Sequence, residues 1–118
     1  TMAFSSFEDL EVWKRACNLA VSVYESLRDT RDYGLRDQMQ RASISIASNI
    51  AEGSERPPKD FKRFLRIATG SAAELRTQTY IAAKVGIITS EQMKHIVEET
   101  RGIARMLTGL SKSLKTDN

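Results

Sequence analysis

The stretch PKDFKRFLRIATGSAAELRTQTYIAAKV, residues 58–85, sets apolar or small side chains at Phe61, Phe64, Leu65, Ala68, Ala72, Leu75, Thr79 and Ala82. Steps of three and four keep these positions on one side of an α-helix, whereas a half-buried strand would alternate. The ends carry matching punctuation. Pro58 suits a first helical turn, where its missing N–H is not needed, and Gly86 is free to take the left-handed conformation that closes a helix. The stretch therefore reads as one long amphipathic helix over about 58–85.

The same rhythm continues on both sides. Upstream, Leu35, Met39, Ala42, Ile46 and Ile50 predict a helix over about 35–52 that Gly53 ends. Downstream, Thr89 and Gln92 have capping-box spacing, and Met93, Ile96, Ile103, Leu107, Leu110 and Leu114 define a helix over about 89–114. A further helix over about 7–29 is expected near the start, with Ser5 and Glu8 as a capping box and a core seam of Leu10, Trp13, Cys17, Ala20, Tyr24 and Leu27. A second apolar set, Val12, Ala16, Leu19 and Val23, lies about 100° further round and suits contact with another subunit. Four such helices with short connections predict an all-α, antiparallel up-down-up-down four-helix bundle, and 118 residues form a single domain, 1–118.

Composition narrows the function. The chain is 41% hydrophobic and 28% charged with two prolines, which fits a globular helical domain and excludes a disordered or collagen-like one. No apolar run approaches a membrane span, and nothing resembles a secretory leader, so a cytoplasmic protein without membrane contact is expected. The lone His95 has Gln92 where a carboxylate-bridged metal bundle would place Glu, and it lies off the apolar seam, so it reads as a surface residue. Cys17 reads as a small buried hydrophobe. With no nucleophile, metal set or phosphate loop beside Glu52 or Glu74, an enzyme is not expected, and neither is a cofactor.

Charge is segregated: residues 1–55 sum to −3 and residues 56–115 to +7. On the third helix Lys59, Lys62, Arg63, Arg66 and Lys84 form a stripe opposite the apolar face. Arg101, Arg105, Lys112 and Lys115 do the same on the fourth. Such stripes serve either as a solvated polar face or as a track for nucleic-acid phosphates. Phe61 and Phe64 fall on the core side and Tyr80 at the stripe's edge, so a base-stacking platform is not evident. A second constellation joins Arg41, Ser45, Ser48, Asn49 and Glu52 of the second helix to Gly70, Ser71, Glu74 and Gln78 of the third. It reads either as an internal hydrogen-bonded network or as a contact with a subunit or ligand.

The string Ser45-Ile46-Ala47-Ser48-Asn49-Ile50-Ala51-Glu52-Gly53 resembles a motif of the four helix bundle protein family, the large-subunit ribosomal RNA intervening-sequence proteins. Leu10-Glu11-Val12-Trp13, Tyr33-Gly34-Leu35 with Gln38, Arg41 and Ala42, and Gly70-Ser71 followed by Glu74-Leu75-Arg76-Thr77-Gln78 extend the likeness over nearly the whole chain. Gln40 stands where the family often has arginine, and Pro57-Pro58 where serine or threonine often caps the third helix. The resemblance implies a four-helix bundle assembling as a homopentamer, in a family associated with insertions in bacterial ribosomal RNA genes. It also implies kinship with the accessory variability proteins of diversity-generating retroelements, basic pentamers that bind nucleic acid and a reverse transcriptase. The expected function is a non-enzymatic oligomeric binding or scaffold protein that holds RNA or DNA on basic helix faces. The alternative is a protein-interaction scaffold with no nucleic-acid role.

Overall fold

In the computed structural model, which describes residues 6–115, a short 3-10 turn (Phe7–Asp9) precedes four α-helices: α1 (Glu11–Ser26), α2 (Tyr33–Ser54), α3 (Pro58–Lys84) and α4 (Ser90–Ser113). Contacts between helices fix their directions. Ser45 of α2 meets Ser71 of α3, and further along α2 Gly53 meets Phe61 and Phe64, so the two helices run oppositely. Tyr80 meets Arg101 while Arg66 and Lys112 line one groove, which makes α3 and α4 antiparallel. Arg15 reaches Glu99 and Met106 while Ser22 meets His95, so α1 opposes α4 as well. Each helix packs on two neighbours around a square, giving an up-down-up-down rod of 48 × 21 × 21 Å. No strand occurs among the described residues.

α3 buries its predicted positions from Phe61 to Ala82 without exception. Pro58 opens the helix at its first turn, and Gly86, at φ +82°, supplies the left-handed turn beyond its end. Thr89 and Gln92 form the expected capping box: the Thr89 hydroxyl accepts from the Gln92 N–H at 3.0 Å, and the Gln92 side chain accepts from the Thr89 N–H at 2.8 Å. In α2, Met39, Ala42, Ile46 and Ile50 are buried and Leu35 packs at the core's edge.

Three sequence-based expectations require correction. The first concerns α1, which is rotated by about one residue step: Val12, Ala16, Leu19 and Val23 face the core with Leu27, and Tyr24 is 41% exposed. Leu10 and Trp13 pack at the core's margin, and Cys17 is only half-buried. Both sets share the helical rhythm, so rhythm alone does not choose between them. Side-chain chemistry does, because the Trp13 and Tyr24 rings carry polar atoms that suit a boundary, whereas the Val12–Val23 set is wholly apolar.

The second correction concerns the start, where the chain does not enter one continuous helix. Leu10 is extended (φ −77°, ψ 121°) and separates the 3-10 turn from α1. The turn is held by Ser6, whose hydroxyl accepts from the Glu8 N–H at 3.2 Å, and by an edge-on contact of Phe7 with Trp13 at 5.1 Å. The capping role expected of Ser5 lies outside the described residues.

The third correction concerns Gly53, which lies inside α2 and not beyond its end. A Cβ there would come within 2.6 Å of Phe64 Cβ and 2.9 Å of Phe61 Cδ1. This glycine is needed for the close approach of α3 and not for a left-handed turn.

Candidate nucleic-acid interface

The cationic residues of α3 and α4 stand outward. Among the described residues Lys59, Lys62, Arg66, Lys84, Arg101, Arg105, Lys112 and Lys115 have no carboxylate within salt-bridge distance. Arg63 differs, with its Nε 3.9 Å from Asp60 and its guanidinium 4.7 Å above the Phe64 ring. Arg56 also lies over that ring, at 5.0 Å, so Phe64 is flanked by two arginines.

The stripe on α3 is not continuous. Between Arg66 and Lys84 the outward residues include Ala73, Thr77 and Tyr80, leaving about 27 Å of helix without a cation on that line. The antiparallel register offsets this, because Tyr80 sits beside Arg101, whose Nη2 lies 3.5 Å from the Tyr80 hydroxyl, and Arg105 follows one turn along α4. At the other end, Arg66 and Lys112 stand on opposite walls of a groove of about 480 Å³, whose remaining lining is Leu65, Thr69, Leu107, Thr108 and Ser111. Two separate sequence stripes thus merge into one cationic seam.

The polar ladder between α2 and α3 is only half satisfied within the chain. Ser45 is its hub: its hydroxyl lies 2.8 Å from that of Ser71, and Asn49 Nδ2 donates to the Ser45 carbonyl at 2.8 Å and hydroxyl at 3.0 Å. Arg41, Glu52 and Glu74 form no ion pair among the described residues and are exposed. Arg41 and Glu74 nevertheless line the same groove of about 390 Å³, together with Asp37, Gln38, Ala42, Ser45 and Gln78. Gln78 is 7% exposed, and its buried Oε1 has no donor among the described residues. Beside them Gly70 faces open space, with no described residue within 4 Å of where a Cβ would stand.

The α1–α4 junction was invisible in the sequence. Arg15 donates from Nε to Glu99 Oε1 at 2.9 Å and from Nη2 to Oε2 at 3.0 Å, a two-pronged pair. The hydrogen bonds from Arg15 hold the Glu99 carboxyl below its ordinary range, and the same bonds raise the Arg15 guanidinium. Gly102 leaves room for it, since a Cβ there would overlap the Arg15 guanidinium. His95 is exposed, with its Nε2 3.4 Å from the Ser22 hydroxyl. Burial pushes the Cys17 thiol up, away from a reactive thiolate. Among the described residues no group of three or more His, Cys, Asp or Glu is arranged to hold a metal ion, and no helix is long and apolar enough to cross a membrane.

The fold and its surfaces thus define an all-α bundle whose charged groups work from the outside, with a cationic seam on one side and an incompletely paired groove on another. The 23S rRNA-intervening sequence protein family model matches residues 8–109, and the chain belongs to that family, as the Ser45–Gly53 motif implied. Among solved structures, a protein of unknown function from the S23 ribosomal protein family of Bacteroides thetaiotaomicron VPI-5482 is similar, with a TM-score of 0.80 and 25% identity. The match covers 86% of this chain and 99% of that one. None of the curated proteins matches.

Proposed function

We propose that this protein is a non-enzymatic, self-associating binding protein that holds RNA or DNA by its phosphates along the α3–α4 seam, in the cytoplasm. The observation that carries this is the groove at which Arg66 and Lys112 face each other across two helices, with no carboxylate partner among the described residues. Cations that neutralise phosphates release condensed counterions, so such a surface binds polyanions with little regard to base sequence. The family's tie to intervening sequences of 23S rRNA favours an RNA partner.

Self-association is supported by the other face. Arg41, Glu52 and Glu74, which form no ion pair among the described residues, give it charges of both signs, and exposed Ile67 and Ile81 give it apolar area. A second copy supplies the opposite charges, and the homopentamer implied by family resemblance is the assembly expected. Repeating a modest cationic seam in one particle raises its hold on a polyanion through avidity.

The test is RNA affinity as a function of salt. Affinity falls steeply as salt rises, and changing Lys62, Arg66 and Lys112 to Ala reduces the slope by about one for each phosphate no longer neutralised. Affinity that ignores salt, or that survives the triple change, refutes the nucleic-acid reading. The α2–α3 face then stands as the working surface of a protein-interaction scaffold, and partners retained after ribonuclease treatment identify it as such.

A further inference from the structure

We infer that the α3–α4 seam takes a single-stranded polynucleotide, with an unpaired base settling at each of two grooves; this rests on the phosphate-binding reading above. The first groove divides its chemistry by position. Arg66 and Lys112 supply charge at its rims, whereas Leu65 and Leu107 lie at its base. Its two threonine hydroxyls are committed to their own helices, Thr69 to the Leu65 carbonyl at 2.9 Å and Thr108 to the Ala104 carbonyl at 3.1 Å. Apart from the Ser111 hydroxyl, a phosphate pressed onto such a floor would find no donor and would give up most of its hydration without replacement. The flat face of a base has no such cost, and the rims remain for the phosphates on either side. At about 480 Å³ the groove falls within the size range of small-ligand sites, large enough for one nucleotide unit.

The second groove lies on the same seam, about 22 Å along α3 from the first, and is lined by Tyr80, Ala83, Lys84, Ser90 and Met93 with a volume of about 390 Å³. Tyr80 is 43% exposed, so its ring is free for stacking, and the Arg101 guanidinium steadies its hydroxyl end. Among the described residues no carboxylate lines either groove. Base-accepting surfaces between phosphate-holding cations are of no use to a duplex, which keeps its base faces stacked inside.

Fluorescence anisotropy on the full chain, with labelled 12-mer RNA and DNA of one mixed sequence, tests this at a single low salt concentration. Each oligonucleotide is presented single-stranded and annealed to its complement. The single strand is expected to bind about tenfold tighter than the duplex, and Tyr80→Ala to lose about tenfold on the single strand with no change on the duplex. Tyr80→Phe keeps the ring and retains the affinity. A duplex held as tightly as the single strand, or a Tyr80→Ala protein that holds the single strand as well as wild type does, overturns the single-strand track and leaves the phosphate reading in place. Failure to bind either form overturns both.

Discussion

Between α1 and α4, Arg15 and Glu99 find each other in a two-pronged pair, with Gly102 cleared to admit the guanidinium. Between α2 and α3, Arg41 and Glu74 line one groove and, among the described residues, neither has an ion-pair partner and the buried Gln78 Oε1 beside them has no donor. The same residue types thus complete themselves at one junction and stay open at the other. An unsatisfied buried carbonyl costs about 1–3 kcal/mol. A partner that supplied the donor would remove that cost, and this is the face where Gly70 and the exposed Ile67 and Ile81 leave room for one. Paired charges such as Arg15 and Glu99 contribute to the protomer, whereas on the proposed reading the open charges on the rim of the α2–α3 junction serve what the protomer meets, above a core that Gly53, Phe61 and Phe64 hold closed.

Substitutions at the two junctions separate these roles. Gly53→Ala has the largest effect, because its Cβ would meet Phe64 Cβ, an atom that moves only with the α3 backbone. A loss of about 2 kcal/mol in denaturant unfolding is expected. Glu99→Gln follows, at about 1 kcal/mol at neutral pH, the value for a charged hydrogen-bonded pair reduced for its partial exposure. The sign with pH is fixed. The Glu99 carboxyl is held low in the folded state, so its contribution is complete above the ordinary carboxylate range and disappears as pH falls through the depressed value. Unfolding curves of wild type and Glu99→Gln therefore converge in acid.

Gly70→Ala should act in the opposite direction on the isolated protomer, adding about 0.5–1 kcal/mol through helix propensity at an open site while weakening self-association. Arg41→Gln and Glu74→Gln have the smallest effect on folding, under about 0.5 kcal/mol, since neither residue has an ion-pair partner among the described residues. Analytical ultracentrifugation should show both variants assembling less than wild type. Assembly unchanged in both would remove the contrast between the two junctions.

How much of this was legible in the sequence depended on how many answers the pattern allowed. α3 has one apolar seam, and its buried positions followed from it. α1 has two seams about 100° apart, and the choice between them rests on packing against α2 and α4 and on the polar atoms of Trp13 and Tyr24. Gly53 and Gly86 look alike as punctuation, yet only Gly86 turns left-handed, because the need at Gly53 is set by Phe61 and Phe64 arriving from the next helix. Arg15 and Glu99 are 84 positions apart, beyond any local signal. The basic residues were visible one by one. Their grooves were not, since the pairing of Arg66 with Lys112 and the setting of Tyr80 come from the α3–α4 register.

On the proposed reading, the charges this fold leaves unpaired are used between molecules. Light scattering on the purified chain, with and without RNA at low salt, tests it most directly. A mass several times the 13.2 kDa of one chain, rising further when RNA is added, is expected. A mass of 13.2 kDa at every concentration, unmoved by RNA, would contradict it.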